Sequence, residues 1–225
     1  LKIAIDGPAA SGKSAAALML ARRLGFIYVD TGAMYRAVTW EGCRRGIDFG
    51  REEDIVKTAA GMSIGVLPGG EGDRGYRILV GDRDVTDELF TPEVDGLVSI
   101  TARVGGVRKI LVEMQRALCA GNNVVMAGRD IGSNVLKDAE LKVFLAADPL
   151  ERAKRRRDEL ARKGRMEELK DILDNIKERD KIDSERKDNP LTRTADAFYL
   201  DNSALTVEET VLAIEREARR RMAGS

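Results

Sequence analysis

Histidine is absent from this chain of 225 residues, and cysteine occurs only twice, at Cys43 and Cys119. No Ser-His-Asp triad, Cys-His pair or histidine-rich zinc site can be assembled from such a set. For each cysteine the expectation is a helical thiol in a reduced cytosol, and the sequence does not decide whether the two could pair. An excess of either charge is missing too. Lys+Arg and Asp+Glu are both 38, so no global field favours nucleic acid or an acidic membrane, and any anion binding must come from local clustering. No apolar run reaches membrane-spanning length, and Leu1 to Ile5 is only a strand's worth of chain, so neither a membrane segment nor a signal peptide is expected and a cytoplasmic location is. With 43% hydrophobic and 34% charged residues the composition is that of an ordinary globular protein, long enough for one well-buried core with a small inserted subdomain.

What is present begins at once. The apolar run Ile3 to Ile5 reads as a buried strand, and Gly7-Pro8-Ala9-Ala10-Ser11-Gly12-Lys13-Ser14 follows it into a helix. This is G-x-x-x-x-G-K-[ST], a loop whose backbone N–H groups wrap an anion and leave no room for a Cβ at Gly7 or Gly12. The positive end of the helix points at the same place. Lys13 adds a point charge able to reach β- and γ-phosphates, and the Ser14 hydroxyl is placed to ligate the Mg²⁺ that travels with a nucleotide. Ala15 stands where many such loops carry a second hydroxyl. Nucleoside triphosphate binding is the expectation. The strings Asn-Lys-x-Asp and Asp-x-x-Gly, which guanine-specific switches of this class carry, do not occur, so a GTPase is not expected.

Further along, a helix from Lys13 to Leu24 stops at Gly25, and Phe26 to Val29 is a second strand closing on Asp30, which makes a βαβ unit with a parallel sheet. Asn123 to Ala127, Leu141 to Ala146 and Ala197 to Leu200 have the same character, giving a five-stranded parallel sheet with helices on both faces, an α/β fold of the phosphate-loop hydrolase type. Three β-rich segments, Met62 to Leu67, Tyr76 to Val80 and Arg83 to Thr86, are separated by hairpin punctuation and predict a small inserted antiparallel sheet, with a glycine-rich tip at Gly69 to Gly75. Between Pro149 and Asn189, apolar residues at helical spacing on charged segments predict two amphipathic helices with Gly164 at the bend. Thr206 and Glu209 form a capping box that opens the last helix, whose basic end is Arg219 to Arg221.

Ligands of an open parallel sheet bind beyond the carboxyl ends of its strands. After the second strand comes Asp30-Thr-Gly-Ala-Met-Tyr-Arg36, and after the third Gly128-Arg-Asp-Ile-Gly132; each brings an arginine and a carboxylate that suit a second, phosphate-bearing substrate. Taken alone, Arg129-Asp130 is equally a structural salt bridge. The basic run Arg152, Lys154, Arg155, Arg156, Arg157 has three readings: a solvated helix face, a nucleic-acid patch weakened by Asp158 and Glu159, and a mobile lid bringing arginines onto a transferring phosphoryl group. The lid fits best. A kinase acting on a sugar or shikimate-like alcohol would share the loop and lid but would need a carboxylate to take the acceptor proton, and a nucleic-acid module would bind salt-sensitively through that run.

Asp6-Gly-Pro-Ala-Ala-Ser-Gly-Lys-Ser14, Asp30-Thr-Gly-Ala-Met-Tyr-Arg36, Ala127-Gly-Arg-Asp-Ile-Gly132 and Ile176-Lys-Glu-Arg-Asp180, with Asp183 and Arg186 after it, together resemble the bacterial cytidylate kinases, a branch of the nucleoside monophosphate kinases. The resemblance covers nearly the whole chain and implies one phosphate-loop kinase domain over 1–225, an inserted monophosphate-binding region over 36–110 and a lid over 149–189. It implies transfer of the γ-phosphoryl of ATP to CMP or dCMP with Mg²⁺, in a monomer without nucleic-acid or membrane partners. It assigns Gly7 to Ala15 to ATP, Ser14 to the metal, and Thr31, Tyr35, Arg36 and Arg129 to the monophosphate site. Ser99, Arg108 and Asp130 would face cytosine, Arg179 and Asp183 the sugar and phosphates, and Arg186 the acceptor phosphate; Lys13, Arg129 and Arg179 would carry the chemistry. Ala15 and Ser133 depart slightly from the family pattern. No general base is required, because a monophosphate oxygen is already an ionised nucleophile.

Overall fold

Ile3, Ala4 and Ile5 have no exposed surface at all, which is the burial expected of a strand covered on both faces, and the strand they form, β1 (Lys2–Asp6), sits inside a five-stranded parallel sheet. The structure is a computed structural model that describes residues 1–69, 74–162 and 164–223. The other strands of the sheet are β2 (Ile27–Asp30), β6 (Val124–Gly128), β7 (Leu141–Ala146) and β8 (Phe198–Asp201), in the order β2-β6-β1-β7-β8. A second, antiparallel sheet holds β3 (Ile64–Pro68), β4 (Tyr76–Val80) and β5 (Arg83–Asp84) in chain order. The helices are α1 (Lys13–Leu24), α2 (Thr31–Arg45), α3 (Glu52–Ala60), α4 (Pro92–Arg103), α5 (Gly105–Leu118), α6 (Pro149–Arg162), α7 (Leu169–Glu185) and α8 (Val207–Ala223), with a 3₁₀ turn at Glu88–Phe90 and a π-helical turn at Ile131–Val135.

The chain divides into two compact units. The first comprises residues 1–25 and 125–225. In it β1 runs parallel to β7, with Ile5 opposite Val143 and Asp6 opposite Phe144, and β7 runs parallel to β8, with Leu145 opposite Leu200. Burial grades across these strands: every residue of β6 is buried, alternate residues of β7 are, and none of β8 is. Helices α6 and α7 close their own small core from Ala153, Leu160, Ile172 and Ile176, with Ala10 of the loop after β1 packed against it. The two predicted amphipathic helices are therefore one apolar seam, and Gly164 between them takes a φ of 73°, which a side chain would resist. The capping box opening α8 is present: Thr206 N–H and hydroxyl both donate to Glu209, and Glu209 N–H donates to the Thr206 hydroxyl.

The second unit, residues 26–124, holds α2 to α5 and the antiparallel sheet. β3 pairs with β4 from Ile64↔Val80 to Pro68↔Tyr76, as the alternation predicted, while the third segment forms only two residues of strand before Thr86 bonds back to Asp84. Residues 70–73 of the expected glycine-rich tip lie outside the described residues. Helices α3, α4 and α5 were not expected from the sequence. Two of them have a local reason: Glu52, Glu53 and Asp54 crowd the positive end of α3, and Thr91 caps α4 by accepting from Val94 N–H with Pro92 at the first position. Cys43 lies within α2 and Cys119 follows α5, and both are free thiols.

Leu145 on β7 is fully buried, so Leu145→Ala opens a cavity and is expected to lower unfolding stability by about 2–5 kcal/mol, read from urea denaturation curves.

Candidate functional site

Gly7 begins the phosphate loop where a Cβ would run into the carbonyl of Leu145 on β7, and Gly12 ends it in the left-handed region, at φ 87°, as the N-cap of α1. The expected lack of room for a Cβ thus holds at Gly7 alone; at Gly12 the nearest atom, Asn202 Nδ2, would be 3.5 Å away, and it is the left-handed φ that favours glycine. Between them Ala10 also adopts a positive φ, 56°, at a cost of about 1–2 kcal/mol for a residue with a Cβ; its methyl group is the one packed on the α6–α7 core.

The loop's carbonyls are bonded from several directions. Pro8 O accepts from Lys13 Nζ at 2.6 Å, Ala9 O from Arg152 at 3.0 Å, Ser11 O from Asn202 Nδ2 at 3.0 Å, and Gly12 O from Ala16 N–H at 3.0 Å. Asp180 of α7 accepts from Ala9 N–H at 3.3 Å and binds Arg152 at 2.7 Å, so the helix pair holds the peptide groups on both sides of the Ala9 Cα. Ser14 and Ala15 are exposed on the first turn of α1, whereas Lys13 is buried.

The basic run on α6 is divided: Arg157 is exposed and Lys154 and Arg156 pair on the helix surface, whereas Arg152 and Arg155 turn inward. Arg152 is buried and also donates to Ala147 O; Arg155 donates to Asn202, Ser203 and Leu205 carbonyls, binding the loop after β8; Lys154 and Arg156 pair with Glu151 and Glu159. Arg152 and Arg155 thus anchor the phosphate loop and its neighbour.

Beyond β6 the expected charged residues form a chain within the same unit. Arg129 Nε donates to Asp183 Oδ2 at 2.7 Å, Arg186 lies 3.9 Å from Asp183 Oδ1, and Arg186 donates to Asp130 Oδ1 at 3.0 Å. Burial pushes the Asp183 carboxyl up, but the guanidinium groups of Arg129, Arg186 and Arg179 outweigh it and hold the group below the usual range. The structure therefore brings together Arg129, Asp130, Asp183 and Arg186, with Arg179 close enough to act on Asp183.

In the second unit Thr31 and Tyr35 stand one turn apart on α2, both buried. The buried Arg108 lies over the Tyr35 ring, 5.7 Å from its centre, and donates to Ala102 O. Arg36 is held by Asp95 at 2.7 Å and by Leu89 O at 3.0 Å, with its guanidinium 4.8 Å from the centre of the Phe90 ring; Ser99 follows Asp95 by one turn of α4.

Sequence reasoning did not single out Asp6, Asp95, Asp180 or Asn202. Asp6 and Asp180 stand inside motif strings, but nothing in a string tells which carboxylate faces backbone amides; Asp95 and Asn202 carry no sequence signal. Asp6 is buried, and its carboxylate accepts from Ile131 and Gly132 N–H, each at 2.8 Å. Burial, with some repulsion from Asp130, raises its pKa from 3.8 to about 6 against the pull of the two amides and Lys13. Among the described residues no group of three or more histidine, cysteine or acidic side chains could hold a metal, and no helix is long and apolar enough to cross a membrane.

The family model described as cytidylate kinase matches residues 3–220. A cytidylate kinase of Pelotomaculum thermopropionicum is 47% identical over 212 residues, covering 94% of this chain and 93% of that protein. One from Caldanaerobacter subterraneus subsp. tengcongensis is 44% identical over 224 residues, covering 100% and 97%. A solved structure of an uncharacterized protein from Eubacterium ventriosum is similar in fold, with a TM-score of 0.53 at 13% identity over 96% of this chain and 97% of that one.

A folded-state pKa above the unfolded value means that the native protein binds the Asp6 proton more tightly than the unfolded chain does. The Asp6 contribution is thus most favourable below about pH 4 and falls by about 3 kcal/mol as the pH rises to about 6. Unfolding free energies measured across that window are expected to lose this downward component in Asp6→Asn.

Proposed function

Because the chain belongs to the cytidylate kinase family, we propose that it transfers the γ-phosphoryl group of ATP to CMP or dCMP, giving CDP or dCDP and ADP, in cytoplasmic pyrimidine nucleotide metabolism. The observation that carries the reading is the near-full-length family match on a chain whose phosphate loop is intact. Gly7 to Ala15 hold the ATP phosphates, with Lys13 as the mobile charge. Mg²⁺ arrives with the nucleotide and supplies charge neutralisation on its phosphates; the exposed Ser14 hydroxyl, a hard oxygen at the start of α1, fits it as one ligand. A resident metal cage would need more acidic ligands than are clustered among the described residues.

In this reading the inserted region 36–110 serves the monophosphate, Thr31, Tyr35 and Arg36 line its site, Arg36 and Arg129 bind its phosphate, and Ser99, Arg108 and Asp130 face the cytosine. A carboxylate accepts from the exocyclic amine of cytosine, which uracil lacks, so Asp130 serves discrimination. Region 149–189 acts as a lid whose Arg179, Asp183 and Arg186 approach the sugar and phosphates and exclude water. Arg129, Arg179 and Lys13 spread the charge of the transferring group, and the acceptor oxygen, already ionised, attacks without a general base. The protein works as a monomer on small nucleotides. The engagement of Arg152, Lys154, Arg155 and Arg156 with carboxylates and carbonyls supports this over a nucleic-acid surface.

A coupled ADP-release assay is expected to show turnover with CMP and dCMP well above UMP and shikimate-like alcohols; a better rate with UMP or an alcohol would end the substrate assignment. Lys13→Ala is expected to lower kcat by at least about a hundredfold, and Asp130→Ala to lower the CMP-over-UMP ratio of kcat/KM by about tenfold.

A further inference from the structure

The Ile131–Val135 turn after β6 begins with Asp130 at its N-cap position, yet the Asp130 side chain makes no capping bond. An aspartate there ordinarily accepts from the second or third amide of the turn, Gly132 or Ser133, because those N–H groups have no partner within it. In this chain the amides of Ile131 and Gly132 are taken by Asp6, one by each carboxylate oxygen, both at 2.8 Å and both buried. The cap is thus supplied from the adjacent strand β1. Asp130 then turns elsewhere: Oδ2 accepts from Asn134 and Oδ1 from Arg186, the buried pair that joins the turn to the end of α7. A Cβ at Gly132 would stand 3.4 Å from Asp6 Oδ2, an ordinary contact, and 3.1 Å from the Lys142 side chain.

We propose that Asp6 is a positioning residue for substrate selection: by capping the turn in place of Asp130, it leaves the Asp130 carboxylate directed at Arg186 and the acceptor base. This rests on the kinase reading above. Asp6 also immediately precedes Gly7, so the residue that fixes the selecting carboxylate is the one from which the phosphate loop springs.

The test is a double-mutant cycle on the CMP-over-UMP ratio of kcat/KM, with Asp6→Asn, Asp130→Ala and the pair. Asp6→Asn keeps the shape but can accept at only one of the two amides. The ratio is expected to fall about tenfold in Asp6→Asn and by less than about twofold when the same change is made in Asp130→Ala. Equal loss of CMP and UMP turnover, or the same drop in both backgrounds, overturns the proposal and leaves the kinase reading standing. Wild-type protein without a preference for CMP over UMP overturns that reading instead. Amide exchange decides the cap without any substrate: Ile131 and Gly132 are expected to lose protection in Asp6→Asn, and unchanged protection overturns the proposal.

Discussion

A loop that must point its N–H groups at an anion cannot spend them on holding its own shape, so its conformation has to be imposed from outside. That constraint organises the first unit. The carbonyls of Pro8, Ala9, Ser11 and Gly12 are each bonded, by Lys13, Arg152, Asn202 and Ala16 respectively. Gly7 lies so close to the Leu145 carbonyl that no side chain fits, and the strained Ala10 is offset by apolar contact with the α6–α7 core. Arg152, Asp180 and Asn202, 143 to 191 positions away in sequence, thus converge on the loop and add to the local bonds from Lys13 and Ala16.

The same helix pair serves a second requirement. Charges buried near one another are tolerable only when paired, and removing one partner leaves an uncompensated charge. Arg129, Asp183, Arg186 and Asp130 alternate in sign along a single chain of contacts, and Arg152 with Asp180 forms a separate pair on the loop. The overall balance of 38 basic and 38 acidic residues is thus local as well as global where the motifs lie. A guanidinium held by a carboxylate keeps its planar fork in one orientation. Arg36, gripped by Asp95 and Leu89 O in the second unit, follows the same rule.

The sequence disclosed what local chemistry determines. The strands around the loop, its two required glycines, the capping box at Thr206 and the amphipathic pair α6–α7 follow from periodicity, glycine placement or residue type at fixed offsets, and each is present. The anchors were hidden for the opposite reason. Arg152 and Arg155 look like members of a basic surface run, and only the fold reveals that one is buried against Ala9 while the other binds the loop after β8. Helix α5 carries Val107, Leu111 and Val112 at helical spacing but opens on two glycines with no side-chain cap, so no local start signal marks it; a Cβ at Gly106 would meet Val56 of α3 at 2.7 Å. A π-helical turn held by a carboxylate 125 residues away has no local signature at all.

Absence of histidine fits this architecture and follows from its chemistry. A site that moves a phosphoryl group between two oxygens already charged has no proton to manage, so its demand is for fixed positive charge and oriented amides. Arginine supplies the first without titrating near neutrality, and a glycine-punctuated loop supplies the second. Burial raises the pKa of Asp6 to about 6, and its carboxylate is spent on backbone amides of the turn after β6. Its ionised form is what two N–H groups require, so the raised pKa measures how strongly burial opposes the capping charge, and those amides are what keep that charge affordable inside the sheet.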